Sequence, residues 1–251
     1  MKRSLLVASI VTTLLTAAAA CLVARRQHDS VEIVSSASGA LASTPARTRS
    51  HSRAGSLVTP RDAGEIKRRL RQAEPGTYIG EVLLTRDSAL SRWHEHLLDH
   101  PLRVWIQPNP GIRDWDETFV EQVRGAFLTW SATGIPIHFR FVSDSAHADA
   151  HVVFIDHFSD AISGKTRWAR DDGWWIVDAD VTLAVHHDGG ETLDSAAVRA
   201  IALHEVGHLL GLDHTSDIAN IMTPRVRVRE LSNADRSTMK LLYTLPPGPV
   251  R

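Results

Sequence analysis

At 251 residues with 43 % hydrophobic and 23 % charged side chains, the chain can fill one ordinary core with appendages, which excludes collagen, coiled coil and wholly disordered chains. The formal net charge of -1 hides an excess of +5 over residues 1–60 and -6 over the rest, so the folded part has no basic footprint for nucleic acid. A single cysteine, Cys21, excludes a disulfide framework and any cysteine-based zinc site or nucleophile in the body of the chain, whereas histidine stands out at 14 residues.

In chain order, Lys2 and Arg3 precede an uncharged run over residues 5–24, which reads as a targeting segment. Three outcomes stay open for residues 1–24: cleavage as a signal peptide after Ala18-Ala19-Ala20, lipidation at Cys21, or retention as a membrane anchor long enough to span. Each delivers the remainder outside the cytoplasm, whether extracellular, periplasmic or membrane-anchored. Residues 25–76 read as a disordered Ser/Ala/Arg-rich tether, too poor in large apolar residues to offset ordering entropy, with a short charged helix over 63–74 stopped by Pro75-Gly76. A folded domain is expected over 77–251. Residues 78–84 and 102–106 have strand composition, and Leu90, Trp93, His94, Leu97 and Leu98 between them suggest a helical turn closed by Pro101. Phe119, Val123, Phe127 and Trp130 recur at helical spacing, with Asp114 and Glu117 as a capping box and Gly134 beyond the end. Strands follow at 137–142, 152–155 and 177–185. Strand, helix, several strands and a last helix describe an α+β fold, one mixed sheet backed by helices.

The helix expected over 196–212 carries the chemistry. His204 and His208 lie four apart and leave one face about a turn from each other, so both can reach one cation. Glu205 is adjacent, where its carboxylate can reach water at the cation without being a ligand. Gly211 lets the chain leave the helix at positive φ, and His214 can turn back as a third nitrogen ligand. Three imidazoles with an open position describe one catalytic zinc. The five residues together have a chance probability of roughly one in ten thousand in this composition, which favours a metal site over five unrelated residues.

From His204-Glu205 through His208, Gly211 and Leu212-Asp213-His214 to Thr215, the chain resembles the metzincin metallopeptidases, and most closely their matrixin branch. The resemblance implies a metzincin-like catalytic domain with its zinc motif on an active-site helix. It makes Ile221-Met222-Thr223-Pro224 the Met-turn, with Met222 beneath the metal. It also implies an edge strand over 164–169 that pairs with an extended peptide, so Gly164, Thr166, Trp168 and Pro224 become candidate substrate-binding residues. The closing helix would run over 231–243. The function so implied is zinc-dependent endopeptidase activity on proteins, with Glu205 as general base.

Two departures qualify the resemblance. Matrixins are held latent by a propeptide cysteine, but Cys21 lies in the targeting segment. The loop over 155–176 lacks an ordered His/Asp array for a second zinc, and His147, Asp149, His151, Asp156 and His157 read as solvated or hydrogen-bonding. Asp171, Asp172, Asp178, Asp180 and Asp188 could offer oxygens to calcium, but no EF-hand spacing is present. The expected partner is an extended peptide or protein met by a monomer, with a membrane tether through residues 5–24 as one option. Two other classes remain: a zinc-binding module that sequesters a partner, against which Glu205 argues, and an envelope interaction protein that works through residues 25–60.

Overall fold

The computed structural model describes residues 33–37, 68–70, 76–86 and 89–250, all of which belong to the compact unit that begins at Ile33. The targeting run over 5–24, with Cys21, lies outside the described residues. Among the described residues no helix is long and apolar enough to cross a membrane.

The elements are β1 (Ile33–Ala37), α1 (Ile79–Thr85), β2 (Ala89–Leu90), β3 (Arg92–Trp93), β4 (Leu102–Ile106), α2 (Thr118–Ser131), β5 (Phe139–Val142), β6 (Ala150–Ile155), β7 (Gly164–Arg170), β8 (Trp175–Ala184), α3 (Ser195–Leu209), β9 (Arg225–Val226), α4 (Asn233–Thr244) and β10 (Gly248–Pro249). Eight of the described strands form one mixed sheet in the order β5-β4-β6-β8-β7-β1-β9, with β3 also pairing β8. Strands β5, β4, β6 and β8 run parallel, and β7 turns back antiparallel on β8. This is the α+β architecture expected, a mixed sheet backed by helices.

Helix α2 forms because Phe119, Val123, Phe127 and Trp130 line one face at helical spacing, and all four are buried. Helix α3 is buried on nearly every side from Ala197 to Leu209, as its all-round apolar composition requires. It lies against α2 and against β7 and β8. The Trp130 indole crosses between the two helices and donates to Leu203 O at 2.8 Å. Asp194 caps α3 by accepting from Ala197 N at 2.6 Å, and Gly211 leaves the following turn at φ 109°.

Three local expectations are corrected. Residues 79–85 are a helix, not a strand, because Ile79 and Val82 are the buried pair, a spacing of three, while Leu84 stands exposed. In place of a helical turn near Leu90 there are the short strands β2 and β3, paired with β10 and β8. No capping box from Asp114 starts α2. Asp114 sits at φ 58° with its carboxylate 3.2 Å from His186, and Asp116 accepts from Thr118 N at 2.8 Å instead. The other difference is β1. Within the stretch read as a tether, residues 33–37 form a strand that pairs parallel with β7 and antiparallel with β9.

Candidate functional site

Helix α3 aims His204 and His208 to one side, and the turn after Gly211 brings His214 to meet them. Their ligand nitrogens lie within 4.8 Å of one another. His208 Nε2 is 2.9 Å from His204 Nε2 and 3.2 Å from His214 Nε2. The outer nitrogens are already committed. His204 Nδ1 is 2.7 Å from Ile221 O and His208 Nδ1 is 3.0 Å from Leu212 O. A carbonyl only accepts, so each Nδ1 carries the proton, and the inward Nε2 atoms of His204 and His208 are bare lone pairs. Lone pairs packed this closely repel unless a cation lies between them, so the donor set fits a divalent metal.

The electrostatics agree. Burial, reinforced by the neighbouring His214, pushes the pKa of His204 down to about 3. Burial, with both neighbouring imidazoles, lowers His208 well below the ordinary histidine value, and burial lowers His214. All three are therefore held neutral near pH 7, the form that ligates metal.

Glu205, fully buried beside His204, is held from β7. Thr166 Oγ1 lies 2.6 Å from Glu205 Oε2 and 3.0 Å from Glu205 O. Gly164 lets the strand come this close, since a methyl there would meet Glu205 Oε1 at 2.5 Å and Ile201 Cγ2 at 2.7 Å. Met222 is fully buried with its sulfur against Gly207, between the two helical histidines in sequence.

The other substrate candidates are placed differently from one another. Thr166 turns its side chain inward to Glu205, while its strand pairs with β8 on one side and β1 on the other. Trp168 is also buried, with the Arg86 guanidinium 4.8 Å above its ring. Pro224 is exposed and lines a hollow with Glu81, Leu84, Thr85, His214, Thr215 and Ser216. The acidic and histidine residues around β6 are engaged by protein groups. Asp149 accepts from Arg103 N at 2.9 Å, His151 Nε2 faces Ser145 O at 2.9 Å, His147 meets Asp144 at 2.7 Å, and His157 meets Asp156 at 2.5 Å.

Several supports gave no sign of their role in sequence. Asp235, fully buried, accepts from Ile221 N at 2.9 Å and from Tyr78 Oη at 2.9 Å, and so holds the turn whose carbonyl fixes His204. The only legible hint was the spacing of Ser232 and Asp235, which form the capping box of α4. Arg86 donates to Asp213 Oδ2 at 3.0 Å and Leu212 O at 3.1 Å, and Glu81 accepts from Thr215 Oγ1 at 3.0 Å and Ser216 N at 2.7 Å. Together they clamp the loop that carries His214.

A matrixin family profile matches residues 106–244, from the end of β4 through α4. The chain belongs to the matrixin family. Among curated proteins this matrixin is 26 % identical to Metalloendoproteinase 1 of Glycine max over 163 residues, covering 57 % of this chain and 50 % of that one. It is 35 % identical to Metalloendoproteinase 1-MMP of Arabidopsis thaliana over 115 residues, 42 % of this chain and 31 % of the other. Against Matrix metalloproteinase-16 of Homo sapiens the figure is 30 % over 122 residues, 44 % of this chain and 18 % of the other. The matrixin thus spans half or less of the length of these relatives. Zinc is the catalytic metal of the family, and the cluster of His204, His208 and His214 is consistent with its site.

Proposed function

We propose that this chain is a zinc-dependent endopeptidase that hydrolyses peptide bonds in proteins, with His204, His208 and His214 as zinc ligands, Met222 beneath the site and Glu205 as general base. The observation that carries it is the convergence of three neutral imidazoles, two of them with their outer nitrogens spent on backbone carbonyls, beside a buried carboxylate oriented by Thr166. When bound there, zinc supplies a Lewis acid that polarises the scissile carbonyl and acidifies water. Glu205 takes the proton of the attacking water and hands it to the leaving amine. Thr166 holds that carboxylate in one rotamer, so no reorganisation is required as the proton moves. The side of β7 away from β8, which β1 pairs with here, would take the extended peptide through backbone hydrogen bonds, largely regardless of its sequence, and the hollow between His214 and Pro224 takes a side chain. Residues 1–24 send the domain out of the cytoplasm, and it works as a monomer.

The test is Glu205→Gln in the full chain. Glutamine keeps size and a carbonyl acceptor, so zinc content by elemental analysis stays near one per chain while hydrolysis of casein falls by a factor of about 10² or more. Near-native turnover with zinc in place would reject Glu205 as the base, and loss of zinc would make it part of the metal site.

A further inference from the structure

Helix α1 lies ahead of residue 106, where the match to the family begins, yet it forms one wall of the hollow beside His214. It is anchored at both ends. Tyr78, just before it, donates from N to Thr238 Oγ1 at 3.0 Å and from Oη to Asp235 Oδ1 at 2.9 Å, and Arg86, just after it, donates to Asp213 and to Leu212 O. Ile79 and Val82 are buried in the core, while the Glu81 carboxylate accepts from Thr215 Oγ1 and Ser216 N and so fixes α1 against the loop of His214. Leu84 stands three residues on from Glu81, on the same face of the helix, and is 83 % exposed. An exposed leucine alone means little. This one shares a hollow of about 510 Å³ with Glu81 and Thr85 on its own side and with His214, Thr215 and Pro224 on the other.

We propose that Leu84 is a specificity-determining residue, the wall of a subsite that selects a large apolar side chain from the peptide held at His214. The proposal rests on the endopeptidase reading and names the side chain that the hollow prefers. The polar groups that α1 and Thr215 bring to the hollow are already engaged. Both Glu81 oxygens accept from the loop of His214, one of them from the Thr215 hydroxyl, and the Thr85 hydroxyl donates back to Val82 O at 3.0 Å. A charged or amide side chain entering there gives up water and meets groups that already hold partners. A leucine or phenylalanine side chain gives up no such hydrogen bonds, and it covers the Leu84 methyl groups and the Pro224 ring, both exposed to water without it. With α1 anchored on one side and the turn after Met222 on the other, the fit of a single methylene separates substrates by tenfold or more. Because His214 lines the hollow, the selected residue lies close to the scissile bond.

Leu84→Ala and Leu84→Glu are made in the full chain, at a position exposed enough that neither endangers folding. The substrates are blocked alanine-based hexapeptides that carry one Phe, Leu, Glu or Lys at each position in turn. The expected result is a wild-type preference for Phe or Leu over Ala of about tenfold or more in kcat/KM at one position. Leu84→Ala cuts that ratio at least fivefold there, and Leu84→Glu makes Lys the preferred residue at the same position, with zinc content near one per chain in all three proteins. Unchanged ratios in both variants overturn the inference, and so does a wild-type preference for Lys, which would mean that the Glu81 charge governs the hollow. A second readout needs no turnover. In Glu205→Gln labelled with 13C in its leucine methyl groups, the Leu84 resonance, identified by its loss when Leu84→Ala is added, is expected to shift on addition of the mixed Phe peptides. A shift without hydrolysis of peptide or casein by wild type keeps the subsite and removes the endopeptidase reading. Hydrolysis without a shift overturns the subsite and leaves that reading standing, and the absence of both removes the two together.

Discussion

Thr166 spends its one hydroxyl proton on Glu205, and that single contact separates a carboxylate that is merely near the histidines from one that is oriented. Losing it removes one buried hydrogen bond, about 1–2 kcal/mol, which is roughly a tenfold change if the bond matters most as the proton is transferred. Thr166→Val, equal in shape, is expected to lower kcat about tenfold with KM and zinc content unchanged, and Thr166→Ser to restore most of it. Steady-state kinetics on one peptide substrate check this, because a purely structural loss would move stability and zinc content and would not be rescued by the hydroxyl alone. His204, Glu205, His208 and His214 were legible as a constellation because the helical repeat and Gly211 fix their spacing locally. Thr166 was legible only as part of an expected edge strand, which the structure instead places between β8 and β1. Its inward turn depends on the register between β7 and α3, which no local pattern encodes.

Gly207 lies inside α3, where an isolated helix would gain about 1 kcal/mol from alanine. Here a methyl group would drive into the Met222 sulfur and lie 3.2 Å from Trp130 Cζ2. Overpacking a fixed core costs roughly 1–3 kcal/mol, so the clash outweighs the propensity gain. Gly207→Ala is therefore expected to lower stability by about 1 kcal/mol, read as a lower urea midpoint with an unchanged slope, and to weaken zinc binding by displacing Met222 from its packing against α3 between His204 and His208. Helices α2, α3 and α4 were readable because long periodic patterns and caps are local properties. The region from Tyr78 to Trp93 was not. Seven-residue α1 is shorter than an autonomous helix, and its state is decided by Ile79 and Val82 meeting the core while Glu81 reaches the loop after His214. Strands β2 and β3 are two residues each and exist only through their partners β10 and β8.

Across the molecule the histidine cluster joins α3 to the turn directly after it, a turn that Arg86 and Glu81 hold from far earlier in the sequence. A ligand that binds only the folded state adds about 4 kcal/mol when present at a thousand times its dissociation constant. Chelation is expected to lower the Tm by several degrees and to abolish casein hydrolysis, with both restored by adding one equivalent of zinc, as scanning calorimetry and activity after dialysis would show. Equal Tm with and without chelator would contradict a tightly held structural coupling. Sequence alone gave the α+β class from its order of periodic segments, and the family and the closeness of His204, Glu205, His208 and His214 from one helix and its exit turn, where spacing is geometry. Tertiary structure alone decided what surrounds them: that Asp235 and Tyr78 hold the turn behind His204, that Thr166 faces Glu205, and that Ile33–Ala37 pairs with both β7 and β9. Those contacts join residues between 14 and well over a hundred positions apart. Their free energy appears only when the sheet and α3 are packed together, so no window of sequence could contain it.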